Sequence, residues 1–228
     1  MIKSDFPKNN EIPVVGRFRS CLDLIKKYNL RGKVLLDVGS STGLLESKLY
    51  DKNLKRIIGV EPNKKAVDFA KKNVKDVEFY VGTADNLLVK NNSCDIVTMF
   101  DVIEHVPENG EIDAFKEVRR VLKKGGVFLL STPNNNLFTN LLDPAWYFGH
   151  RHYKPEQIKK MLVDSKFKIL SVNVRGELWF SIYLIWLYFV KRFNKSRFPR
   201  FAFLENLDDQ GFTKNKGIHT IFIEACKV

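Results

Sequence analysis

Cysteine is scarce in this chain of 228 residues. The three cysteines, Cys21, Cys94 and Cys226, are odd in number and far apart. A disulfide framework needs an even, closely spaced set, and a structural zinc site needs paired cysteines a few residues apart. The cysteine content therefore excludes both designs and is typical of a protein from a reducing compartment.

Long apolar runs are also lacking. The N-terminal segment Met1–Pro13 has no apolar core of the kind found in signal peptides, so we expect a cytoplasmic protein. The most apolar block is Leu178–Val190, which at thirteen residues is too short to cross a bilayer.

Acidic residues are in deficit, with 26 Asp and Glu against 38 Lys and Arg, a formal net charge of +12. Most of the lysines are scattered, as on solvated helix faces. A basic cluster directly follows the apolar block, and no acid interrupts it before Glu205. Its members are Lys191, Arg192, Lys195, Arg197 and Arg200. An apolar, aromatic block joined to basic residues is typical of a segment that binds an anionic membrane surface, and we predict this contact for residues 178–200. Core packing or a homodimer contact stays open for this block, and nucleic acid is the least favoured partner.

Short apolar runs alternate with helical patterns along most of the chain. Val34–Val38, Arg56–Glu61, Val77–Val81, Asp95–Phe100 and Val127–Ser131 have the character of buried strands. This alternation predicts an α/β domain with a parallel sheet covered by helices on both faces. The length fits one domain over residues 1–228, with residues 175–216 as an insertion between the last two strands.

A glycine-rich turn joins the first strand to the first helix of this alternation. Asp37, Gly39, Ser41 and Gly43 give the spacing D-x-G-x-S-x-G. Glycines let the backbone approach a ligand, and a following helix offers free N–H groups. The G-x-G-x-x-G spacing of dinucleotide sites is not met, because Ser41 and Leu44 stand where it requires glycine.

The turn resembles the first motif of the class I S-adenosylmethionine-dependent methyltransferases, with Ser41 in place of the usual middle glycine. The resemblance implies a Rossmann-like, doubly wound, seven-stranded sheet whose last strand is antiparallel, with the hydrophobic and basic insertion before that strand. It implies S-adenosylmethionine as cofactor and an acid, here Glu61, on the ribose hydroxyls. The cofactor-binding residues predicted in this way are Arg19, with Arg17 as the fallback, Asp37, Gly39, Ser41, Gly43, Glu61, Thr83, Ala84, Asp85 and Phe100.

The stretch Thr98–Glu108, TMFDVIEHVPE, resembles a segment of the O-methyltransferases of quinone biosynthesis. Asp101, Glu104 and His105 have the spacing of one helical turn. They could bind a divalent metal, or Asp101 could cap the helix with Glu104 completing a capping box. We favour capping and predict no metal.

The predicted activity is methyl transfer from S-adenosylmethionine, by O-methylation of a small, lipid-linked or glycan substrate. An oxygen nucleophile needs a base, and His150, His105 and Asp101 are the candidates. His152 is a further residue on the substrate side. The alternatives are a non-catalytic module that binds S-adenosylmethionine and a methyltransferase acting on nucleic acid.

Overall fold

The fold is described from a computed structural model, which covers residues 14–49, 53–177, 202–214 and 216–228 together with Asn9 and Ile12. The apolar block Leu178–Val190 and the basic cluster after it lie outside the described residues. None of the helices in the described ranges is both long enough and apolar enough to cross a bilayer.

Seven helices and seven strands make up the described part of the chain. The strands are β1 Val34–Val38, β2 Arg56–Glu61, β3 Glu78–Val81, β4 Cys94–Phe100, β5 Leu122–Pro133, β6 Phe167–Arg175 and β7 Thr220–Lys227. The helices are α1 Gly16–Lys26, α2 Leu44–Ser47, α3 Lys64–Asn73, α4 Glu111–Val121, α5 Leu137–Leu142, α6 Pro155–Asp164 and α7 Ala202–Thr213. Two 3₁₀ turns, Ile103–His105 and Pro144–Phe148, follow β4 and α5.

The strands form one sheet in the order β3-β2-β1-β4-β5-β7-β6. β7 is antiparallel to both of its neighbours, and the pairs from β3 to β5 are all parallel. The predicted seven-stranded sheet with an antiparallel last strand is confirmed. All five residues of β1 are buried, as expected for a central strand with helices on both faces.

Strand order reverses between β1 and β4, since β2 and β3 lie on one side and β5 on the other. Ligands of such sheets bind beyond the carboxyl ends of the strands at this point of reversal. Asp37, Glu61, Phe100 and Thr132 all lie at or near the carboxyl ends of their strands. We call this side of the sheet the carboxyl edge.

Two elements differ from the sequence prediction. The amphipathic pattern of residues 111–124 predicts a helix that runs to Lys124, but α4 ends at Val121, because Leu122 is fully buried and already pairs with Cys94 in the sheet. The helix α7 lies within the predicted insertion and packs on α1, where Ser20 Oγ donates a hydrogen bond to the Phe212 carbonyl over 3.2 Å.

Candidate cofactor and active site

The turn between β1 and α2 takes the backbone conformations that its composition predicts. Gly39 and Gly43 have φ values of +83° and +76°. A Cβ at Gly39 would collide with the side chain of Val102, and one at Gly43 would lie 2.8 Å from Cζ of Phe79. Ser41 also has a positive φ, +47°, which explains why glycine is usual there in the motif that the turn resembles.

Glu61 links this turn to β2. Its carboxylate accepts hydrogen bonds from the backbone N–H groups of Ser41, over 3.1 Å, and Asn63, over 2.9 Å. The side chain of Asn63, and not that of Glu61, caps α3 by accepting from the N–H groups of Lys65 and Ala66. Glu61 is therefore not a helix cap. It lies at the rim of the turn, half-buried, with oxygen lone pairs left for a ligand.

Asp37 lies deeper, at the end of β1, and is 5% exposed. Thr98 of β4 is its partner in the sheet register and donates a hydrogen bond from Oγ1 to Asp37 Oδ1 over 2.5 Å. Burial raises the pKa of Asp37 to about 7, although this hydrogen bond acts in the opposite direction. The sequence analysis did not single out Thr98, but alignment of β1 with β4 would have found it.

The remaining predicted cofactor residues come from β3 and β4. Thr83 and Asp85 are exposed on the loop after β3, and Ala84 between them is buried. Phe100 is half-buried at the end of β4. These four residues therefore lie after the end of β3 or at the end of β4, on the same edge of the sheet as the turn.

Arg17, and not Arg19, lies at the carboxyl edge. Arg19 donates to the carbonyl of Val14 and forms an ion pair with Asp209 of α7, with 3.0 Å between Nε and Oδ1. Arg17 forms an ion pair with Asp101, with 3.1 Å between Nε and Oδ2. Two residues along a helix rotate a side chain by about 200°, so the two arginines point in opposite directions.

The capping hypothesis for Asp101 and Glu104 is wrong. No side-chain hydrogen bond caps the 3₁₀ turn Ile103–His105. Asp101 has φ +54° and instead accepts a hydrogen bond from Ser131 Oγ over 3.1 Å. Within the described ranges, no three His, Cys, Asp or Glu residues are grouped to hold a metal ion.

Glu104 points into the protein and is 4% exposed. Its Oε2 accepts a hydrogen bond from Thr132 Oγ1 over 3.1 Å. Burial, followed by the nearby charge of Asp101, raises the pKa of Glu104 to about 8. These surroundings favour the protonated form of Glu104.

His105 and His150 form a pair at the open side of this cluster. Their ring centroids are 4.3 Å apart and the ring planes are nearly perpendicular, at 89°. Partial burial, and secondly the neighbouring His150, lower the pKa of His105. The structure thus brings together two of the predicted bases, and Asp101 acts electrostatically on the same ring.

His152 has a structural position. It is 6% exposed. Its Nδ1 lies 2.8 Å from Asn140 Oδ1 and its Nε2 3.2 Å from Asp143 Oδ2. Both ring nitrogens are thus used to fix the segment that leads to His150.

Arg151 is a functional candidate that the sequence analysis missed. It donates to the carbonyls of Ile103, over 3.1 Å, and Val106. It also binds Glu111 Oε1 over 2.5 Å. Because Arg151 directly follows His150, these contacts tie the segment of His150 to the loop that bears His105. No local pattern in the sequence signals such contacts between residues that are 40 to 48 positions apart.

Comparison with known proteins agrees with this geometry. A family model described as a methyltransferase domain matches residues 36–130. The ubiquinone/menaquinone biosynthesis C-methyltransferase UbiE of Campylobacter jejuni is 31% identical over 123 residues, 51% of this chain and 52% of the relative. The ribosomal protein L11 methyltransferase of Dictyoglomus thermophilum is 27% identical over 164 residues, 71% of this chain and 47% of the relative.

Solved structures share the fold at low sequence identity. The YcgJ protein from Bacillus subtilis matches with a TM-score of 0.62 and 22% identity, over 92% of this chain and 98% of that one. The geranyl diphosphate C-methyltransferase from Streptomyces coelicolor, solved with S-adenosyl-L-homocysteine, matches with a TM-score of 0.63 and 13% identity over 92% and 78% of the chains.

The chain spans about half the length of the curated relatives that it matches. The family model covers the segment from β1 to β5, which contains the glycine turn, Glu61 and the end of β4. Residues 36–130 thus match a methyltransferase domain, and the sheet order and these matches together support the predicted resemblance to the class I S-adenosylmethionine-dependent methyltransferases, whose cofactor is S-adenosylmethionine.

Proposed function

We propose that this protein transfers a methyl group from S-adenosylmethionine to a hydroxyl group of an apolar acceptor, a lipid-linked or glycan-bearing small molecule, at an anionic membrane surface. The observation that carries the proposal is the composition of the carboxyl edge. The glycine turn, Asp37 and Glu61 lie on its β1–β2 side, and Asp101, His105 and His150 lie on its β4–β5 side.

The residues on the β1–β2 side fit the cofactor. Glu61 supplies a carboxylate at the rim for the two ribose hydroxyls, and Gly39 allows the turn its positive φ at a point where the Val102 side chain leaves no room for a Cβ. Thr83, Ala84 and Asp85 line the adenine side in this proposal. Asp37 places negative charge near a ligand that is itself cationic. These features support the predicted cofactor contacts at residue level.

The cofactor supplies an electrophilic methyl group on a sulfonium, which is already a good leaving group. The protein is left to hold the acceptor in line, to exclude water and to remove the proton of the hydroxyl. We assign the base to His150, with His105 as its neighbour. The lowered pKa of His105 disfavours a positive charge on that imidazole, so His105 offers little charge repulsion to a proton accepted by His150.

An exposed apolar surface supports an apolar acceptor. We call it the α5 surface. Five large apolar side chains between β5 and His150 are at least one third exposed: Leu137 76%, Phe138 58%, Leu141 61%, Trp146 36% and Tyr147 64%. Clustered apolar exposure of this kind is typical of an interaction surface, whereas single exposed apolar residues are normal. The apolar block of the sequence, 178–190, adds to the argument for a lipid environment.

The relatives leave other acceptors open as outcomes of the test. One is named a C-methyltransferase and another a ribosomal protein methyltransferase. Mass analysis of the product distinguishes methyl ether, methylated carbon and methylated protein. A protein that binds the cofactor without turnover on any acceptor would be a non-catalytic module.

The cofactor contacts are tested by calorimetry on the whole chain. We expect S-adenosylhomocysteine to bind and NAD not to bind. Glu61→Ala should weaken binding by about 1.5–3 kcal/mol, the usual value of a hydrogen bond to a charged group. Glu78→Ala is the matched control, because Glu78 is a carboxylate on the neighbouring strand that pairs with Arg56 at the surface. Equal affinities of the wild type and the Glu61 variant would contradict the assignment.

The base is tested by the pH dependence of kcat with a phenol that carries an isoprenoid tail. A histidine base predicts a rate that falls below neutral pH. His150→Ala should remove this limb and lower kcat by about 10²–10⁴-fold, the usual contribution of a general base. Affinity for S-adenosylhomocysteine should not change. An unaltered rate would move the role to His105 or Asp101.

A further inference from the structure

Glu46 is a buried carboxyl group that neither the motif nor the proposed mechanism uses. It lies in α2, directly after the glycine turn, and is 0% exposed. Within the described ranges, neither of its carboxyl oxygens accepts a hydrogen bond. A lone ionised carboxylate is strongly disfavoured in such surroundings, so a group of this kind is either paired or protonated.

The polar group that Glu46 meets is the carboxyl group of Asp37. Asp37 pairs in register with Gly59 of β2. A Cβ on Gly59 would lie only 2.8 Å from Oε1 of Glu46, so the Glu46 carboxyl group lies against the glycine that flanks Asp37. Two carboxyl groups form a hydrogen bond only when one of them carries a proton.

The surroundings favour one shared proton. Burial raises the pKa of Glu46, and the charge of Asp37 raises it further. Asp37 is the better anion of the two, because Thr98 also donates a hydrogen bond to it. The charge of Glu61 on β2 also raises the pKa of Asp37, with a weaker effect than burial. Groups coupled in this way titrate as a pair, with Glu46 neutral and Asp37 ionised once the first proton is lost.

We propose that Glu46 is a positioning residue of the cofactor site: it donates its proton to Asp37 and so holds the Asp37 carboxylate, ionised and in one orientation, beneath the cationic cofactor. This inference rests on the proposed function, because it requires that the cofactor binds at the carboxyl edge. In this proposal Glu46 contacts Asp37 and not the cofactor, so it acts only through its neighbour.

The proposal predicts a pH dependence of cofactor binding. Affinity should fall as pH decreases through the pKa of Asp37, about 7, because the pair then gains a second proton and loses its charge. Glu46→Leu has a similar volume but no donor. The pKa of Asp37 should rise in this variant, so the fall in affinity should begin at a higher pH, and affinity near neutral pH should drop about tenfold.

The experiment is calorimetry of S-adenosylhomocysteine binding over about pH 6 to 9, a range that brackets this pKa. S-adenosylhomocysteine is suitable because it keeps the ammonium group of the cofactor. Wild type, Glu46→Leu, Glu46→Gln and the control Leu45→Met are compared. Glu46→Gln keeps a donor toward Asp37 and should restore most of the affinity. Leu45→Met is a volume-conserving change in the same helix and should leave both affinity and pH profile unaltered.

Thermal unfolding separates positioning from a merely structural role. Replacing a buried acid by an apolar residue of similar volume is often neutral or stabilising, so Glu46→Leu should keep its Tm while losing affinity. If wild type fails to bind S-adenosylhomocysteine, the proposed function is wrong. If wild type binds and Glu46→Leu gives the same affinity and pH profile, the positioning role is wrong. A low Tm in the leucine variant, with no recovery of affinity in the glutamine variant, would likewise overturn it.

Discussion

Glu104 makes the stability of the protein depend on pH in an unusual direction. The pKa of this carboxyl group is raised to about 8 in the folded protein, whereas an unfolded chain has the ordinary value near 4.3. Between these values the folded state holds a proton that the unfolded state has lost. The free energy of unfolding therefore decreases as pH rises from about 4.3 to about 8, and levels off above the folded pKa.

We expect Glu104→Gln to remove this part of the pH dependence. Urea unfolding at about pH 6 and about pH 9 should show a difference smaller than that of wild type by on the order of 1–3 kcal/mol. Asp37 contributes a slope of the same sign and remains in the variant. His219, whose buried ring has a pKa lowered to about 3, acts in the opposite direction and below pH 6.5. An unchanged slope in Glu104→Gln would show that Glu104 is ionised in the folded protein.

Some residues of the site could be predicted from the sequence because a local rule fixes them. Gly39 and Gly43 need a positive φ, which few other residues tolerate. Arg17 and Arg19 differ only in helix phase relative to α7 and β4, and no local rule supplies that phase. Glu46 lies between the apolar residues Leu45, in the short helix α2, and Leu49, just after it. Its partner Asp37 is on a strand whose register with β2 must be known first.

At the scale of elements, the contacts of Arg151 couple the loop that bears His105 to the segment that bears His150. Arg151 directly follows His150. It donates hydrogen bonds to the carbonyls of Ile103 and Val106, in and after the 3₁₀ turn that follows β4, and it pairs with the carboxylate of Glu111. We expect Arg151→Gln to lower kcat with the prenylated phenol about tenfold or more, because small displacements of a base are costly. Affinity for S-adenosylhomocysteine should be retained, since the glycine turn is not touched.

Lys159→Gln is the matched control for this variant, as Lys159 forms an exposed ion pair with Glu156 on α6. The partly buried pair of Arg151 and Glu111 should make Arg151→Gln less stable by about 1–3 kcal/mol. The control should lie within about 0.5 kcal/mol of wild type. Equal loss of cofactor affinity and kcat in Arg151→Gln would point to general unfolding of the edge instead of misplaced histidines.

Elements with a strong period were predicted well, and elements formed by tertiary contact were not. The buried strands β1, β2 and β4 have continuous apolar runs and agree with the prediction at most positions. The turn at Asp101 was expected to be capped because its spacing matches a capping box. In the fold, Ser131 and Arg17 from distant segments take up the Asp101 carboxylate, and a one-turn pattern contains no information about them.

At the scale of the whole molecule, Asp37, Glu61 and Phe100 lie at one edge of the sheet, because parallel strands bring their carboxyl ends together. The sequence did not indicate the α5 surface. Its five apolar side chains look like an ordinary helical segment until the rest of the fold leaves them uncovered. With the net charge of +12, this surface gives the molecule both features needed for attraction to an anionic membrane.

The membrane contact is tested by co-sedimentation with phosphatidylglycerol vesicles. Binding of wild type should fall with rising salt, because basic side chains near an anionic surface contribute about 1 kcal/mol each and are screened. The double variant Leu137→Asn with Leu141→Asn should bind at least about tenfold more weakly, since burying an exposed leucine contributes about 1.5–3 kcal/mol. Leu170→Asn is the control, being a leucine of β6 that is 48% exposed.

A second variant isolates charge from apolar contact. Replacing Lys191, Arg192, Arg197 and Arg200 by Gln should remove the salt dependence while leaving affinity for S-adenosylhomocysteine intact. If wild type does not bind these vesicles but sediments as a dimer, and the α5 double variant dissociates that dimer, the α5 surface is a subunit contact. Wild type that instead binds single-stranded nucleic acid with steep salt dependence would move the acceptor to that class. Either result would contradict the membrane proposal and leave the cofactor assignment standing, because the glycine turn and Glu61, which we propose to hold the cofactor, lie on the β1–β2 side of the carboxyl edge.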